Sequence, residues 1–477
     1  MLAGLIFVGC AVGPNYRKPE LSAPAKWSRL EATETPVADA GARSDLSQWW
    51  RGLKDPLLSE LVDQAQGQSL DLHKARARLR EARARLAVAG AGRYPNVEAT
   101  GSASRSESSV GPGVAGGNAA AITGNQFSVG FDASWELDVF GGVRRSVEAA
   151  EADQESALAS LDDACVSLVA EVARNYVEVR SLQIRLGIAR TNLASQTETL
   201  QLTEFRARAG LVSTQDVEQA RSNREQTLAQ IPSLEISLAE AEHRLDILLG
   251  QTPGTLHARL SVAGPLPEVP ARVAVGIPAA TLRQRPDVRA AERKLAAETA
   301  RVGVTVAARY PTFKLSGSIG IEALIQGTSG NSAGLLYSLL GGIAAPIFNA
   351  GRLRNQVEAQ DAVREQAQVA YEQAVLTALQ EAENALVALA RNRERGEALM
   401  RAAEAAHTAA QLARQRYGTG VIDFQSVIDT ERLVLSVEDS LASTRADGVL
   451  ALIRLYKALG GGWSEETKSR LAGKGAP

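Results

Sequence analysis

The sequence predicts a mixed fold in which long α-helical hairpins are combined with a transmembrane β-sheet, four strands per chain, built by internal duplication. Three observations predict it. Ordered motifs recur along the chain at two fixed offsets, a long helical stretch keeps an apolar residue at every seventh position, and each copy holds a stretch without charge. Composition removes other classes. With 52 Lys plus Arg against 54 Asp plus Glu the net charge is −2, which gives no electrostatic case for nucleic acid. Cys10 and Cys165 cannot build a disulfide scaffold or a four-ligand zinc site, and His73, His243, His257 and His407 stand singly. No Gly-x-x-x-x-Gly-Lys loop is present, so the sequence implies no metal, nucleotide or other cofactor.

Residues 1–9 read as the remnant of a signal peptide: an uncharged apolar run, Met-Leu-Ala-Gly-Leu-Ile-Phe-Val-Gly, that ends at Cys10. The basic segment that opens such peptides is missing, so the true start lies upstream or the signal has been trimmed. A small residue followed by cysteine is the pattern of a lipidation site, and Pro14, Pro19 and Pro24 suit a tether beyond it. Residues 10–68 are therefore expected to form a lipidated tether and an equatorial segment.

The duplication is explicit. Arg93-Tyr94-Pro95 recurs as Arg309-Tyr310-Pro311, an offset of 216 in the numbering. The segments 70–95 and 286–311, each ending at the proline, align without a gap and share Asp71/Asp287, Leu79/Leu295 and Arg85/Arg301. At an offset of 210, Val147-Glu148-Ala149 matches Val357-Glu358-Ala359, Gly210 matches Gly420, and Leu249-Gly250 matches Leu459-Gly460. Such a period is too long for a solenoid. The first repeat is placed at 69–250, a Pro-rich linker at 251–281, the second repeat at 282–460 and a tail at 461–477.

Each repeat opens with a charged, Ala-rich helix, expected at 69–92 and 286–307, the second started by Pro286. Two strands follow, expected at 95–107 and 126–138, then at 312–325 and 335–348. Phe127, Val129, Phe131, Ala133, Trp135 and Leu137 alternate with Gln126, Ser128, Gly130, Asp132, Ser134 and Glu136, as in a strand with one face in lipid. The uncharged stretch 323–351 carries too many glycine and polar residues for a membrane helix. Long helices are expected at 144–208 and 352–416 and return helices at 213–249 and 424–459, with Pro232 kinking the first return where the second has Ala442. Leu158, Cys165, Val172, Val179, Leu186, Leu193 and Leu200 mark a coiled-coil seam, which makes Cys165 a core residue. Four strands cannot close a transmembrane barrel, and an open edge in lipid leaves hydrogen bonds unmade, so the chain must pool strands with copies of itself.

Cys10-Ala11-Val12-Gly13-Pro14-Asn15-Tyr16, Trp49-Trp50, Asp55-Pro56, Leu266-Pro267-Glu268-Val269-Pro270, Arg285-Pro286-Asp287-Val288, Ala345-Pro346-Ile347-Phe348 and Leu455-Tyr456-Lys457-Ala458-Leu459-Gly460-Gly461-Gly462-Trp463 together resemble the TolC-type outer-membrane efflux proteins, in particular their NodT-type lipoprotein branch. The resemblance spans residues 10 to 463. It implies a homotrimer in which a twelve-stranded outer-membrane barrel continues into a periplasmic α-helical barrel. It also implies a passive exit duct for small molecules, served by a periplasmic adaptor protein and an inner-membrane transporter of the resistance-nodulation-division type, with outer-membrane lipid around it and no catalytic residues. Two alternatives stay open at this point: the exit duct of a type I protein secretion system, and a soluble coiled-coil scaffold. The scaffold leaves the uncharged strands and the signal-like start unexplained.

By the same resemblance, Cys10 carries lipid and Ala11 permits export to the outer membrane. The turns Gly210-Leu211-Val212-Ser213 and Gly420-Val421-Ile422-Asp423 are the tips that meet the adaptor. The duct is closed near those tips by a ring of Asp429 carboxylates, one per protomer, and by a latch in which Tyr417 bonds Asp216. Where TolC itself carries an arginine in the second turn this chain has Ile422, so that ionic link is expected to be absent.

Overall fold

In the computed structural model the same succession of elements occurs twice; the structure describes residues 11–20, 24, 27, 28, 37, 38, 46–109, 121–270, 273–274, 282–326 and 330–463. A two-residue strand β1 (Val37–Ala38), a 3₁₀ segment (Leu46–Leu53) and helix α1 (Pro56–Gln68) precede the first copy. Asp55 caps α1 by accepting from the Leu58 N–H, and Pro56 takes the first helical position, where a missing N–H costs nothing. The first copy is α2 (Leu70–Ala91), β2 (Asn96–Ser109), β3 (Ala121–Leu137), α3 (Gly142–Arg208) and α4 (Thr214–Leu248). A short strand β4 (Val273–Ala274) pairs in parallel with β1. The second copy is α5 (Pro286–Ala307), β5 (Thr312–Gln326), β6 (Gly330–Ala344), α6 (Arg352–Gly418) and α7 (Phe424–Ala458). The helix and strand that lead into each hairpin start at the offset of 216, as in Leu70 with Pro286 and Asn96 with Thr312. The helices after it start at the offset of 210, as in Gly142 with Arg352 and Thr214 with Phe424.

The chain divides into two units, each described by itself. One holds Arg80–Ser156, Ala291–Tyr371 and the described residues up to Pro19. Its sheet has the order β2-β3-β5-β6, antiparallel throughout. Register places Phe131 beside Ala99 and Ile319, and Ile319 beside Tyr337, so one face is a continuous apolar surface. Asp132 falls beside Glu98 and Ser318 on the other face. The final strand ends at Ala344, short of the expected 348, because Pro346 has no N–H for a ladder and Asn349 turns to cap α6 through Leu353. The strands of the hairpins also reach further toward their loops than alternation alone indicated, to Ser109, Ala121 and Gly330.

The second unit holds Ala157–Ala290, Glu372 onward and the segment between Glu20 and Leu79. Its core gathers Trp49, Trp50, Leu58, Leu61, Val172, Tyr176, Leu245, Leu249, Leu452 and Leu455, all buried. Linker residues pack onto this core: His257–Leu260 form a helical turn, and Leu256 and Leu260 are buried in it. Cys165 lies in the same core, where burial pushes its thiol up to about 12 and leaves it inert. Helix α4 runs through Pro232 without a break. No helix among the described residues is long and apolar enough to cross a membrane.

Candidate functional site

The two hairpin tips are built alike. Gly210 and Gly420 take φ values of 71° and 77°, which only glycine adopts without strain. Around them, the Gly210 N–H bonds the Ala207 carbonyl and the Leu211 N–H bonds the Arg206 carbonyl; Gly420 to Tyr417 and Val421 to Arg416 repeat the pattern. This is the Schellman arrangement, which satisfies the last carbonyls of α3 and α6. The return helices are capped at once. Ser213 and Asp216 form a capping box on α4, and Asp423 accepts from the N–H and hydroxyl of Ser426 on α7. Those two donors hold the Asp423 carboxyl below its ordinary range. Each cap stabilises its helix start by about 1 kcal/mol.

Beneath the turns, Leu200, Val217, Ala220, Ala413, Tyr417, Phe424, Val427 and Ile428 form a small core that joins both hairpins, with Val212 and Ile422 on its border. Leu211 and Val421, at the apex of each turn, stay outside it at 67% and 71% exposed. Every expected tip residue (Gly210, Leu211, Val212, Ser213, Gly420 and Val421) is thus in or beside a turn, and one apolar side chain per turn faces out.

Within one chain Tyr417 and Asp216 do not bond each other. The Asp216 Oδ2 accepts the Ser213 N–H at 3.0 Å and the Ser213 hydroxyl at 3.0 Å. The Tyr417 ring is buried against Phe424, and its hydroxyl finds no partner among the described residues. Arg206 takes over the joint instead. Its guanidinium lies 4.4 Å from the Tyr417 ring centre and donates to the Tyr417 carbonyl. A cation over an aromatic face contributes about 0.5–2 kcal/mol, more as water is excluded. A cation therefore reaches the second tip from the last turns of the first long helix. Asp429 is exposed and accepts from Gln425 at 2.8 Å.

Between this tip core and the main core, the buried face of α3 is polar: Asn192, Gln196, Thr199 and Thr203. Asn192 donates to Glu438 at 2.9 Å and Thr199 to Glu431 at 2.6 Å, both on α7. Glu431 is 3% exposed with Arg414 at 3.5 Å; burial pushes its carboxyl up in spite of those two partners. The amide of Gln196 is buried with neither atom paired among the described residues. Sequence reasoning missed this ladder, because the seven-residue count passes through Leu193 and Leu200 and hides the polar positions beside them.

The other unit offers a different surface. On one face of the sheet Val97, Val129, Phe131, Ile319, Ile321, Leu335, Tyr337, Leu339 and Ile343 are all more than half exposed. On the opposite face Thr100 bonds Asp132, Ser102 bonds Ser128, Gln126 bonds Glu322 and Ser318 bonds Ser338. A soluble sheet buries its apolar face; this one shows it outward, as a membrane barrel does. Cys10 lies outside the described residues. The residues after it are pinned, since the Val12 N–H bonds the Phe140 carbonyl just past β3. The buried Arg145 donates to the Val12 carbonyl and to Asn15 at 3.2 and 2.6 Å. A Cβ on Gly13 would stand 2.5 Å from the Gly303 Cα, so the contact requires glycine.

The model for outer membrane efflux proteins matches residues 61–251 and 277–461. The chain belongs to the outer membrane efflux protein family. Nodulation protein T of Rhizobium leguminosarum bv. trifolii is 33% identical over 98% of this chain and 97% of its own length. The toluene efflux pump outer membrane protein TtgF of Pseudomonas putida is 29% identical over 95% and 94%. Among solved structures, the outer-membrane channel OprN superposes with a TM-score of 0.87 at 38% identity, covering 95% of this chain and all of that one. As an efflux channel of the outer membrane with the TolC-like fold, the chain has its two surfaces explained: the outward apolar sheet faces lipid, and the long hairpins carry the duct.

Proposed function

We propose that three copies of this chain assemble into one duct that opens to the outside through a twelve-stranded barrel and takes its cargo from a periplasmic adaptor and an inner-membrane transporter of the resistance-nodulation-division type. The duct itself does no chemistry; energy enters through the inner-membrane partner. The observation that carries the assembly is the sheet, whose two edges, β2 and β6, have no strand beside them among the described residues while its apolar face is exposed. Unpaired edges in lipid cost several kcal/mol per lost hydrogen bond, and further copies supply the missing strands.

Cys10 is proposed to carry lipid. The clamp on Val12 and Asn15 supports this, because it fixes the chain that follows Cys10 to residues just past the end of β3. The tips are proposed to meet the adaptor through Leu211 and Val421, the one exposed large apolar side chain on each turn. Asp429 is proposed as the carboxylate ring of the gate, with like charges favouring cations. The latch from Tyr417 to Asp216 is proposed as a contact between protomers, made through the Asp216 Oδ1 while Oδ2 keeps its cap.

The test is drug or solvent tolerance of a strain that depends on this chain, read beside trimer content by native mass spectrometry. Leu211→Glu with Val421→Glu should abolish tolerance while trimers persist. Unchanged tolerance would remove the tips as the docking surface. Mass spectrometry of the mature N-terminus checks the anchor, and an unmodified Cys10 thiol would contradict it.

A further inference from the structure

The duplication fixes more than the order of elements: it fixes strand register. In β2–β3 the numbers of directly opposed residues add to 230, as in Asn96 with Ser134. In β5–β6 they add to 656, as in Thr312 with Ala344. Moving the first strand of the pair by 216 and the second by 210 carries 230 into 656, so the offsets read from helix and strand starts predict the second hairpin's register without adjustment. The turns after the hairpins obey the same rule, since Gly141 and Gly351 stand at the offset of 210 with φ values of 82° and 83°.

The junction between the copies can be treated the same way. Within the chain β3 pairs β5 with numbers that add to 450, as in Leu137 with Phe313. The strand equivalent to β5 is β2, 216 earlier, and the strand equivalent to β3 is β6, whose positions in the register correspond at 210 later. The strand β6 has nothing of this chain's described residues beyond it, and neither does β2. Both are antiparallel to their inner neighbours, so β6 of one copy and β2 of another meet antiparallel, as β3 and β5 do.

We infer that β6 docks on β2 of the partner subunit in the register whose residue numbers add to 444: Ile343 against Gly101 of the partner subunit, Gly341 against Ala103 of the partner subunit and Leu339 against Arg105 of the partner subunit. The inference rests on the assembly proposed above and adds the residues that meet. Faces agree, because an even total sets the apolar positions of both strands on one side; totals of 442 and 446 do so too, and the repeat chooses between them.

The side chains left bare support this seam. Ile347 and Phe348, just past the end of β6, are 92% and 90% exposed, while Tyr94, just before β2, and Val97, within it, are 73% and 62% exposed. Inside the chain the equivalent corner is closed: Phe140 stacks on Tyr310 at 4.7 Å and leans on Phe313 at 6.4 Å. At the seam those three positions become Ala350, Tyr94 and Val97. The aromatic ring that Ala350 lacks leaves room over Tyr94 of the partner subunit, and Ile347 and Phe348 are the apolar side chains at hand to cover it.

Paired cysteines in the full-length chain test the register. Directly opposed strand residues have Cα atoms about 4.5–5.5 Å apart, within disulfide reach, whereas pairs offset by two lie about 7–8 Å apart and are beyond it. Gly101→Cys with Ile343→Cys, oxidised in outer-membrane fractions, should give covalent trimers at least about tenfold more efficiently than Ala99→Cys or Ala103→Cys with the same Ile343→Cys. Thr100→Cys with Ala344→Cys repeats the test on the other face, should either first variant fail to fold. Preferential linkage of an offset pair overturns the register. Native trimers in which no pair links overturn the β6–β2 seam while the trimer stands. A wild-type chain that shows no trimers in native mass spectrometry overturns both.

Discussion

Two stretches of the same helix hold the hairpins together by different means. From Leu161 to Ala189 the buried face of α3 is mainly apolar (Leu161, Cys165, Leu168, Val172, Tyr176, Val179, Leu182 and Leu186), and it packs into the largest core of its unit. From Asn192 to Thr203 the buried face is mainly polar, with Leu200 its apolar exception, and it bonds Glu438 and Glu431. A fully buried Leu or Val contributes about 1.5–3 kcal/mol, whereas a hydrogen bond nets about 0.5–1.5 kcal/mol because water offers the same bond. The difference teaches where this molecule can open. The root of the seam is expensive to separate, and the stretch next to the tips exchanges one set of polar partners for another at little cost. A gate near the tips, as proposed above, would sit at the weaker end.

The largest expected effect comes from the root. Val172→Asp places a carboxylate with no partner at a fully buried position and should cost at least about 4 kcal/mol, read as loss of folded protein from the outer-membrane fraction. A well-folded Val172→Asp protein would mean the root seam is not the anchor.

The second prediction strengthens the tip stretch. Gln196→Leu removes an amide with two unpaired buried atoms and should stabilise the seam by about 1–3 kcal/mol. That corresponds to roughly a 5- to 150-fold smaller open fraction, visible as fewer open events in single-channel recordings and lower drug tolerance. Unaltered gating in a more stable protein would separate the seam from the gate.

The third is a pH dependence centred on Glu431. Its carboxyl is pushed up by burial, so its contribution to stability is full below the ordinary carboxylate range and is lost as pH rises through the raised value. The groups facing it are Thr199 and Arg414, and both favour the ionised form without outweighing burial. Wild-type channels should therefore open more readily at neutral pH than at mildly acid pH, and Glu431→Gln should flatten that dependence. A Gln variant with the wild-type pH profile would move the dependence elsewhere.

Much of this was legible in the sequence, for a physical reason. Alternation along 126–137, glycine at 210 and 420, and the two offsets are local or repeated signals, and each dictated an element that the structure contains. What stayed hidden depends on which helix faces which. Arg206 reads as one more basic residue in a last turn, and nothing in its neighbours says that it will lie over Tyr417. Asp216 reads as a free acid near a turn, although the Ser213-x-x-Asp216 spacing is itself the signature of the capping box that occupies it. The polar ladder was hidden for the same reason: Leu193 and Leu200 continue the count of seven, yet Leu193 is only half buried while Gln196 is 2% exposed.

The smallest expected effect is at Tyr417. With no partner for its hydroxyl among the described residues, Tyr417→Phe should change tip stability by no more than about 0.5 kcal/mol, since the ring and its contact with Arg206 remain. Arg206→Ala should cost more, about 0.5–2 kcal/mol. A large rise in conductance with Tyr417→Phe alone would show that the hydroxyl bonds a neighbouring protomer.

Hydrogen–deuterium exchange along α3 in the purified channel tests the contrast between its two stretches most directly. Amides from 192 to 203 should exchange through local opening well before those from 161 to 189, and Gln196→Leu should slow the first group alone. Equal protection along the whole helix, or earlier exchange at the root, would contradict the account.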